Sequence, residues 1–344
     1  MNLIATAVKA AERAPIPDAI ALRGVDWLCA RTARRLARAD EAQEDAFARS
    51  MDHFPIAPQP QAANRQHYEI PESFFGLTLG PARKYSCCLY PTDTATLAQA
   101  EIAALEATCA HADLADGQRI LELGCGWGSL TLHMAAAYPN AAITAVSNSL
   151  SQRAYIVAEA ERRRLGNVNV LTADMNAFVP PQFDFDRIVS VEMFEHMSNW
   201  RGLLARARRW LRPDGRLLLH VFVSRTRSYR FDHDDPADWI AQHFFTGGIM
   251  PAQDLPHRFS DLYTVEAEWR WSGLHYRRTA LDWLKTFDAN AERIQPILRD
   301  VYGPDARLWR RRWRLFFLAT AGLFSHAGGE EWRIGHYRLR PATR

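Results

Sequence analysis

From Gln118 to Val221, short apolar runs alternate with amphipathic stretches. The runs read as strands at Arg119–Leu123, Ala142–Val146, Val168–Thr172, Arg187–Val191 and Arg216–Val221. The stretches read as helices near Ser129–Tyr138, Ser151–Leu165 and Trp200–Leu211, with a Pro213-Asp214-Gly215 turn before the fifth strand. Strand and helix in alternation predict a parallel sheet with crossovers, an α/β fold. Ser224 to Asp261 follows as a long insertion rich in charge and aromatics. Tyr263–Trp271 then reads as a strand, Ala280 to Val301 and Leu308 to Leu323 as helices, and Glu331 to Leu339 as a closing strand.

Upstream, residues 1 to about 52 read as helices broken at Pro15-Ile16-Pro17. The segment from Ala19 to about Ala39 sets Ile20, Leu22, Val25, Leu28 and Leu36 against late arginines at 31, 34, 35 and 38. Such a helix suits either a membrane surface or a cap with a solvated arginine face. Pro55, Pro58 and Pro60 mark a linker, and Asn64 to Pro91 is aromatic and irregular, as suits a lid over a pocket. Thr96 to about His111 reads as a helix with Leu97, Ile102, Leu105 and Cys109 near one face.

Composition changes this picture little. The 344 residues are 48% hydrophobic and 24% charged, within the ordinary range of globular proteins. A net charge of +3 gives no argument for nucleic acid as partner. The five cysteines are odd in number and lack zinc-site spacing, so reduced thiols and a cytoplasmic location are expected. No signal peptide and no membrane-spanning apolar run is visible.

The candidate chemistry sits at strand ends. After the first strand, Glu122-Leu123-Gly124-Cys125-Gly126-Trp127-Gly128 turns tightly into a helix. That makes a nucleotide-sized pocket at the carboxyl edge of the sheet. The dinucleotide pattern wants a glycine where Ser129 stands, and the Glu122 carboxylate would repel a pyrophosphate. A cationic ligand without phosphate, S-adenosylmethionine (SAM), fits better. After the second strand come Ser147, Asn148, Ser149 and Gln152, which can bond a ribose or adenosine edge or cap the next helix. Asp174, after the third strand, is placed to accept from an adenine amino group. After the fourth strand, Glu192, Glu195 and His196 would share one side of a helix, as proton-transfer or amine-binding groups. The same three groups could hold a metal, but SAM alkylation needs none to generate its electrophile, so proton transfer or amine binding is favoured and no metal is assigned.

These residues, with Gln66-His67-Tyr68-Glu69-Ile70-Pro71, Lys84-Tyr85-Ser86-Cys87-Cys88 and Phe244-Phe245-Thr246-Gly247-Gly248, resemble the cyclopropane-fatty-acid synthase-like superfamily of SAM-dependent methyltransferases. Within it they resemble most the coclaurine and pavine N-methyltransferases. The resemblance implies a Rossmann-like SAM domain, doubly wound with a mostly parallel sheet, at 116–344. It further implies a helical extension at 1–60, a lid and SAM-contacting segment at 61–115, and a substrate lid at about 224–261. Tyr85 and Ser86 would hold the methionine end of SAM, with Gly124 and Gly126 beneath it and Gly128 in the same cofactor-binding turn. Glu195 and His196 would handle an amine, Glu192 would be a third acid beside it, and Tyr68 and Glu69 would cover the substrate.

The cyclopropane synthases use a bound bicarbonate, whose matching residues here would be Cys87, Glu195 and His220. Their late-helix tyrosine is replaced by phenylalanine in Trp313-Arg314-Leu315-Phe316-Phe317. Two activities are therefore carried forward: N-methylation of a small amine, and one-carbon transfer to an unsaturated acyl chain at a lipid or membrane surface. A SAM-binding protein without catalysis is disfavoured by the complete set of Glu192, Glu195 and His196. A homodimer is kept open as the assembly.

Overall fold

The structure, a computed structural model, describes residues 3–14, 16–37, 41–58, 70–235 and 237–343. Helices α1 (Leu3–Arg13), α2 (Asp18–Leu36) and α3 (Glu41–Ser50) precede α4 (Glu72–Thr78) and α5 (Leu97–His111). A reciprocal pair of bonds between Thr96 and Gln99 starts α5, satisfying donors at its N-terminus. Then come β1 (Arg119–Leu123), α6 (Ser129–Ala137), β2 (Ala142–Ser147), α7 (Leu150–Arg163), β3 (Val168–Thr172), β4 (Phe185–Val191), α8 (Trp200–Trp210) and β5 (Leu211–Ser224). The insertion holds β6 (Tyr229–Arg230), α9 (Trp239–His243) and β7 (Ile249–Met250). The chain continues through β8 (Tyr263–Trp271), α10 (Gly273–Ala289), α11 (Ala291–Tyr302), α12 (Ala306–Ser325) and β9 (Trp332–Pro341).

One seven-stranded sheet has the order β3-β2-β1-β4-β5-β9-β8. β1 to β5 are mutually parallel, and β9 runs antiparallel to both β5 and β8. Strand order reverses between β1 and β4, so a crevice opens at their carboxyl ends. Leu121, Leu123, Ile188, Leu217 and Leu219 pack on one face of the sheet, and Ile120, Val189 and Leu218 on the other. Continuous apolar runs are what a sheet covered on both faces requires.

Two expected elements differ. The helix expected over Ala280 to Val301 is two helices, and the first begins at Gly273. They part at Asn290, whose amide donates to the carbonyls of Leu77 and Thr286 at 3.0 Å each, ending α10. The turn expected before the fifth strand is an excursion within β5. Phe185 pairs with Leu211, but Arg187 pairs with Arg216, so the intervening residues loop out.

Helix α2 packs on α12, where Val25 lies so close to Gly322 that an added Cβ would meet it at 2.5 Å. Arg31, Arg34 and Arg35 stay exposed, the arrangement of a cap. No helix among the described residues is long and apolar enough to cross a membrane. All five cysteines are buried and free.

Candidate active site

The glycine turn after β1 is held from both sides. The Gly124 and Cys125 amides both donate to the Val146 carbonyl, at 3.0 and 2.9 Å. Gly124, Gly126 and Gly128 all have positive φ, at 82°, 53° and 76°. A Cβ on Gly124 would strike Met193 at 2.5 Å, and one on Gly128 would strike Ile156 at 2.5 Å. A Cβ on Gly126 would meet nothing within 4 Å, so there the bare backbone faces open space. Trp127, between them, is buried with its ring 5.0 Å from Phe75 and 5.8 Å from Tyr155, which anchors the turn in the aromatic core.

A cleft opens over this turn. Gly124, Gly126, Ser147, Asn148, Gln152 and Asp174 line one side, and Glu192, His196 and Thr246 line the other. Ser147 Oγ donates to Gln152 Oε1 at 2.6 Å, and Ser149 caps α7 by accepting from the Gln152 amide. Gln152 Nε2 is buried without a partner, a donor a ligand's oxygen or ring nitrogen would satisfy. Asp174 accepts from the Asn176 side chain at 3.0 Å, and Asn176 in turn bonds both backbone groups of Ala57. A bare glycine backbone, an orphaned amide and an exposed carboxylate at one cleft fit SAM.

Glu122 does not line the cleft. It is buried in β1 behind the turn and accepts from Thr131 Oγ1 at 2.6 Å. Burial pushes its pKa up to about 7. Gly128 caps α6 one layer back. Tyr85 packs on Phe75 and Trp283, and Ser86 Oγ accepts from the buried Lys84 ammonium at 2.6 Å; neither residue lines the cleft. Tyr68 and Glu69 lie outside the described residues.

The helical spacing expected of Glu192, Glu195 and His196 is not what forms. Glu192 has φ 47°, and only Phe194–His196 makes a helical turn. The two carboxylates therefore diverge. Glu195 Oε1 accepts from the Phe222 amide at 2.8 Å, while its Oε2 is buried without a partner. Glu192 Oε1 accepts from the Cys87 amide at 2.8 Å and lies 3.3 Å from His220 Nε2. Glu192 Oε2 accepts from the Tyr276 hydroxyl at 2.7 Å. His196 stacks on Phe245 with ring centres 4.5 Å apart.

The structure thus corrects the set expected around Cys87 and His220. They gather at Glu192, because its positive φ turns the carboxylate toward them, and Glu195 is held by β5 instead. A tyrosine does stand in that cluster, Tyr276, which sequence reasoning missed because it expected no helix there. The available signal was Ser272, whose hydroxyl accepts from the Leu274 amide and starts α10. Burial raises the pKa of both carboxyls, Glu195 further because Glu192 is its neighbour; the Lys84 charge and the bonds from Cys87 and Tyr276 restrain Glu192. Burial, then the Lys84 charge, holds His220 well below its ordinary value, hence neutral.

Comparison with known proteins shows the family. Residues 57–328 match the family model described as mycolic acid cyclopropane synthetase. The chain is 37% identical to the (S)-coclaurine N-methyltransferase of Thalictrum flavum subsp. glaucum, covering 91% of this chain and 87% of that one. It is 30% identical to the cyclopropane-fatty-acyl-phospholipid synthase of Escherichia coli (strain K12), covering 78% of this chain and 66% of that one. A crystal structure of coclaurine N-methyltransferase bound to N-methylheliamine and SAH superposes with a TM-score of 0.90 at 34% identity, over 98% of this chain and 99% of that one. A family match over most of its length, with relatives of more than 30% identity along nearly the whole chain, shows that this chain belongs to the cyclopropane synthase-like family and is a SAM-dependent methyltransferase.

Proposed function

We propose that this enzyme methylates the nitrogen of a small cyclic or aromatic amine. The observation that carries the reading is that Glu192 and His196 line the same cleft as Gly126, Ser147 and Asp174. SAM, when bound, supplies an electrophilic methyl group on its sulfonium. Gly124 and Gly126 would pass beneath it, while Gly128, Glu122, Tyr85 and Ser86, which stand behind the cleft wall, would support its methionine end from there. Ser147, Asn148 and Gln152 would meet the adenosine, and Asp174 the adenine.

An ammonium cannot act as a nucleophile until it sheds a proton. His196 is assigned that proton, since an imidazole changes charge near neutral pH. Glu195, buried behind the cleft with an unpartnered Oε2, would orient His196 or hold the ammonium from there. Glu192 adds negative charge that draws a cation to the cleft. Positioning supplies much of the remaining rate. The segments 61–115 and 224–261 would form the lid, from which Thr246 reaches the cleft. Five buried free thiols support the cytoplasm as its compartment.

One observation favours a second reading, one-carbon transfer to an unsaturated acyl chain: the cluster of Cys87, Glu192 and His220 includes a tyrosine after all. Transfer of labelled methyl from SAM decides between them, run on a panel of cyclic secondary and tertiary amines beside unsaturated phospholipid vesicles. Label in the amines is expected; label in acyl chains alone overturns the amine reading.

A further inference from the structure

We propose that Glu192, His220, His336 and His111 form a proton path from the cleft to the outer side of the sheet. The path rests on the amine reading and deepens it: an acceptor that binds as an ammonium sheds a proton, which must leave the cleft.

Two of the three links lie within hydrogen-bond reach, and the middle one is a ring contact. Glu192 lines the cleft, with Oε1 3.3 Å from His220 Nε2. His220 on β5 and His336 on β9 are a registered cross-strand pair, with ring centres 4.3 Å apart. His336 Nδ1 lies 2.9 Å from His111 Nδ1, at the end of α5. His220 and His336 are fully buried, whereas His111 is partly exposed. Trp271 walls the pair, 5.4 Å from His220 and 4.2 Å from His336, and His111 lies flat on Trp269 at 3.9 Å.

Two further facts point away from packing alone. His220 Nδ1 and His336 Nε2, the ring nitrogens outside those bonds, are buried without partners. Apolar residues would fill the same space without stranding two polar atoms. The rings are also neutral at rest. Burial and the charges of Lys84 and the neighbouring histidines hold His220 and His336 down, with Arg270 adding to His336. Burial and the Arg338 charge push His111 to about 4. A neutral imidazole carries one donor and one acceptor, which proton relay requires.

The transfer balances. Glu192 takes the proton given up in the cleft by His196 and passes it to His220 Nε2. His220 releases its Nδ1 proton to His336 Nε2 once a turn of either ring brings these two unpartnered nitrogens within reach, His336 releases its Nδ1 proton to His111 Nδ1, and His111 loses its other ring proton to water. Each ring is left as its other tautomer, which proton exchange through water resets before the next turnover. His220, His336 and His111 are thus positioning residues that act through Glu192.

The test compares His336→Phe and His111→Ala on two acceptors. One is a cyclic secondary aliphatic amine, an ammonium at neutral pH; the other is an N-alkylaniline, which arrives neutral. Both variants are expected to lower kcat on the aliphatic amine roughly tenfold with KM unchanged and to raise the solvent deuterium isotope effect. Added imidazole should restore His111→Ala, and the loss on the aniline should be at least about fivefold smaller. Independently of turnover, long-range proton–nitrogen NMR should show the His336 ring nitrogens shift when His111 is replaced. Equal loss on both acceptors, no loss on either, or uncoupled ring signals overturns the path. If the unmutated enzyme methylates no amine while the ring signals remain coupled, it is the amine reading that has failed, and the path's purpose with it.

Discussion

The Tyr276 hydroxyl donates to Glu192 Oε2 at 2.7 Å, though 84 residues separate the two in sequence. That bond, with the Cys87 amide, holds a carboxylate at the cleft wall in a site where burial opposes its charge. Tyr276→Phe leaves a buried oxygen short of one donor, costing on the order of 1–3 kcal/mol of stability. Glu192, already pushed up, moves further up, so more of it is protonated at a given pH. The acid limb of the kcat profile is expected to shift to higher pH; a profile that does not move refutes this role for Tyr276.

His196→Ala separates proton handling from cofactor capture. Turnover on the true amine should fall roughly 10²-fold or more, the scale of a lost general base. The SAM dissociation constant, read by calorimetry, should stay within about threefold, since Ser147, Gln152 and Asp174 are untouched. Unchanged turnover would remove His196 from the mechanism.

Glu122 is buried behind the turn, and the proposed attraction of its charge for SAM is set against the stability that charge costs. Its pKa is about 7 in the fold against an ordinary 4.5, so between these values the folded state holds the proton more tightly. The carboxyl's contribution is therefore complete below about pH 4.5 and is lost as pH rises through about 7, a swing on the order of 3 kcal/mol. Glu122→Gln keeps an acceptor for Thr131 without the buried charge. Its Tm advantage over the parent should grow from pH 5 to pH 8, while its affinity for cationic SAM falls. A Tm difference that is flat with pH contradicts the first half.

Two glycines in one turn should fail differently. Gly128→Ala drives a Cβ into Ile156 at 2.5 Å and keeps φ at 76°, so a loss of about 2–3 kcal/mol is expected by chemical denaturation. Gly126→Ala meets open space and bears only the strain of its positive φ, about 1–2 kcal/mol. Its damage should appear as SAM binding weakened roughly tenfold. Equal melting losses with equal SAM affinity would contradict the cradle.

The parallel half of the fold is written plainly in the chain. Apolar runs of strand length separated by amphipathic stretches place β1 to β4 and their helices nearly to the residue, and the glycines after β1 mark the turn. What the pattern does not carry is direction at single positions. Glu192 leaves its neighbours because one backbone angle takes an unusual sign, which spacing cannot show. Tyr276 and His336 reach the cluster through tertiary packing of segments that look ordinary alone. A closing strand is visible at Glu331 to Leu339, but its insertion between β5 and β8 depends on pairing partners more than 60 residues away at β8's far end and over 100 at β5.

That insertion also orders events during synthesis. β9 emerges after every other strand of its sheet, and β8 hydrogen-bonds to β9 alone. β1 to β5 can pair as they leave the ribosome, but β8 must wait with an open edge. His336 arrives on that same strand. A nascent chain can thus complete its cofactor half while Glu192 and His220 still face an unfinished wall, and the enzyme is assembled around its cleft only when β9 slots home.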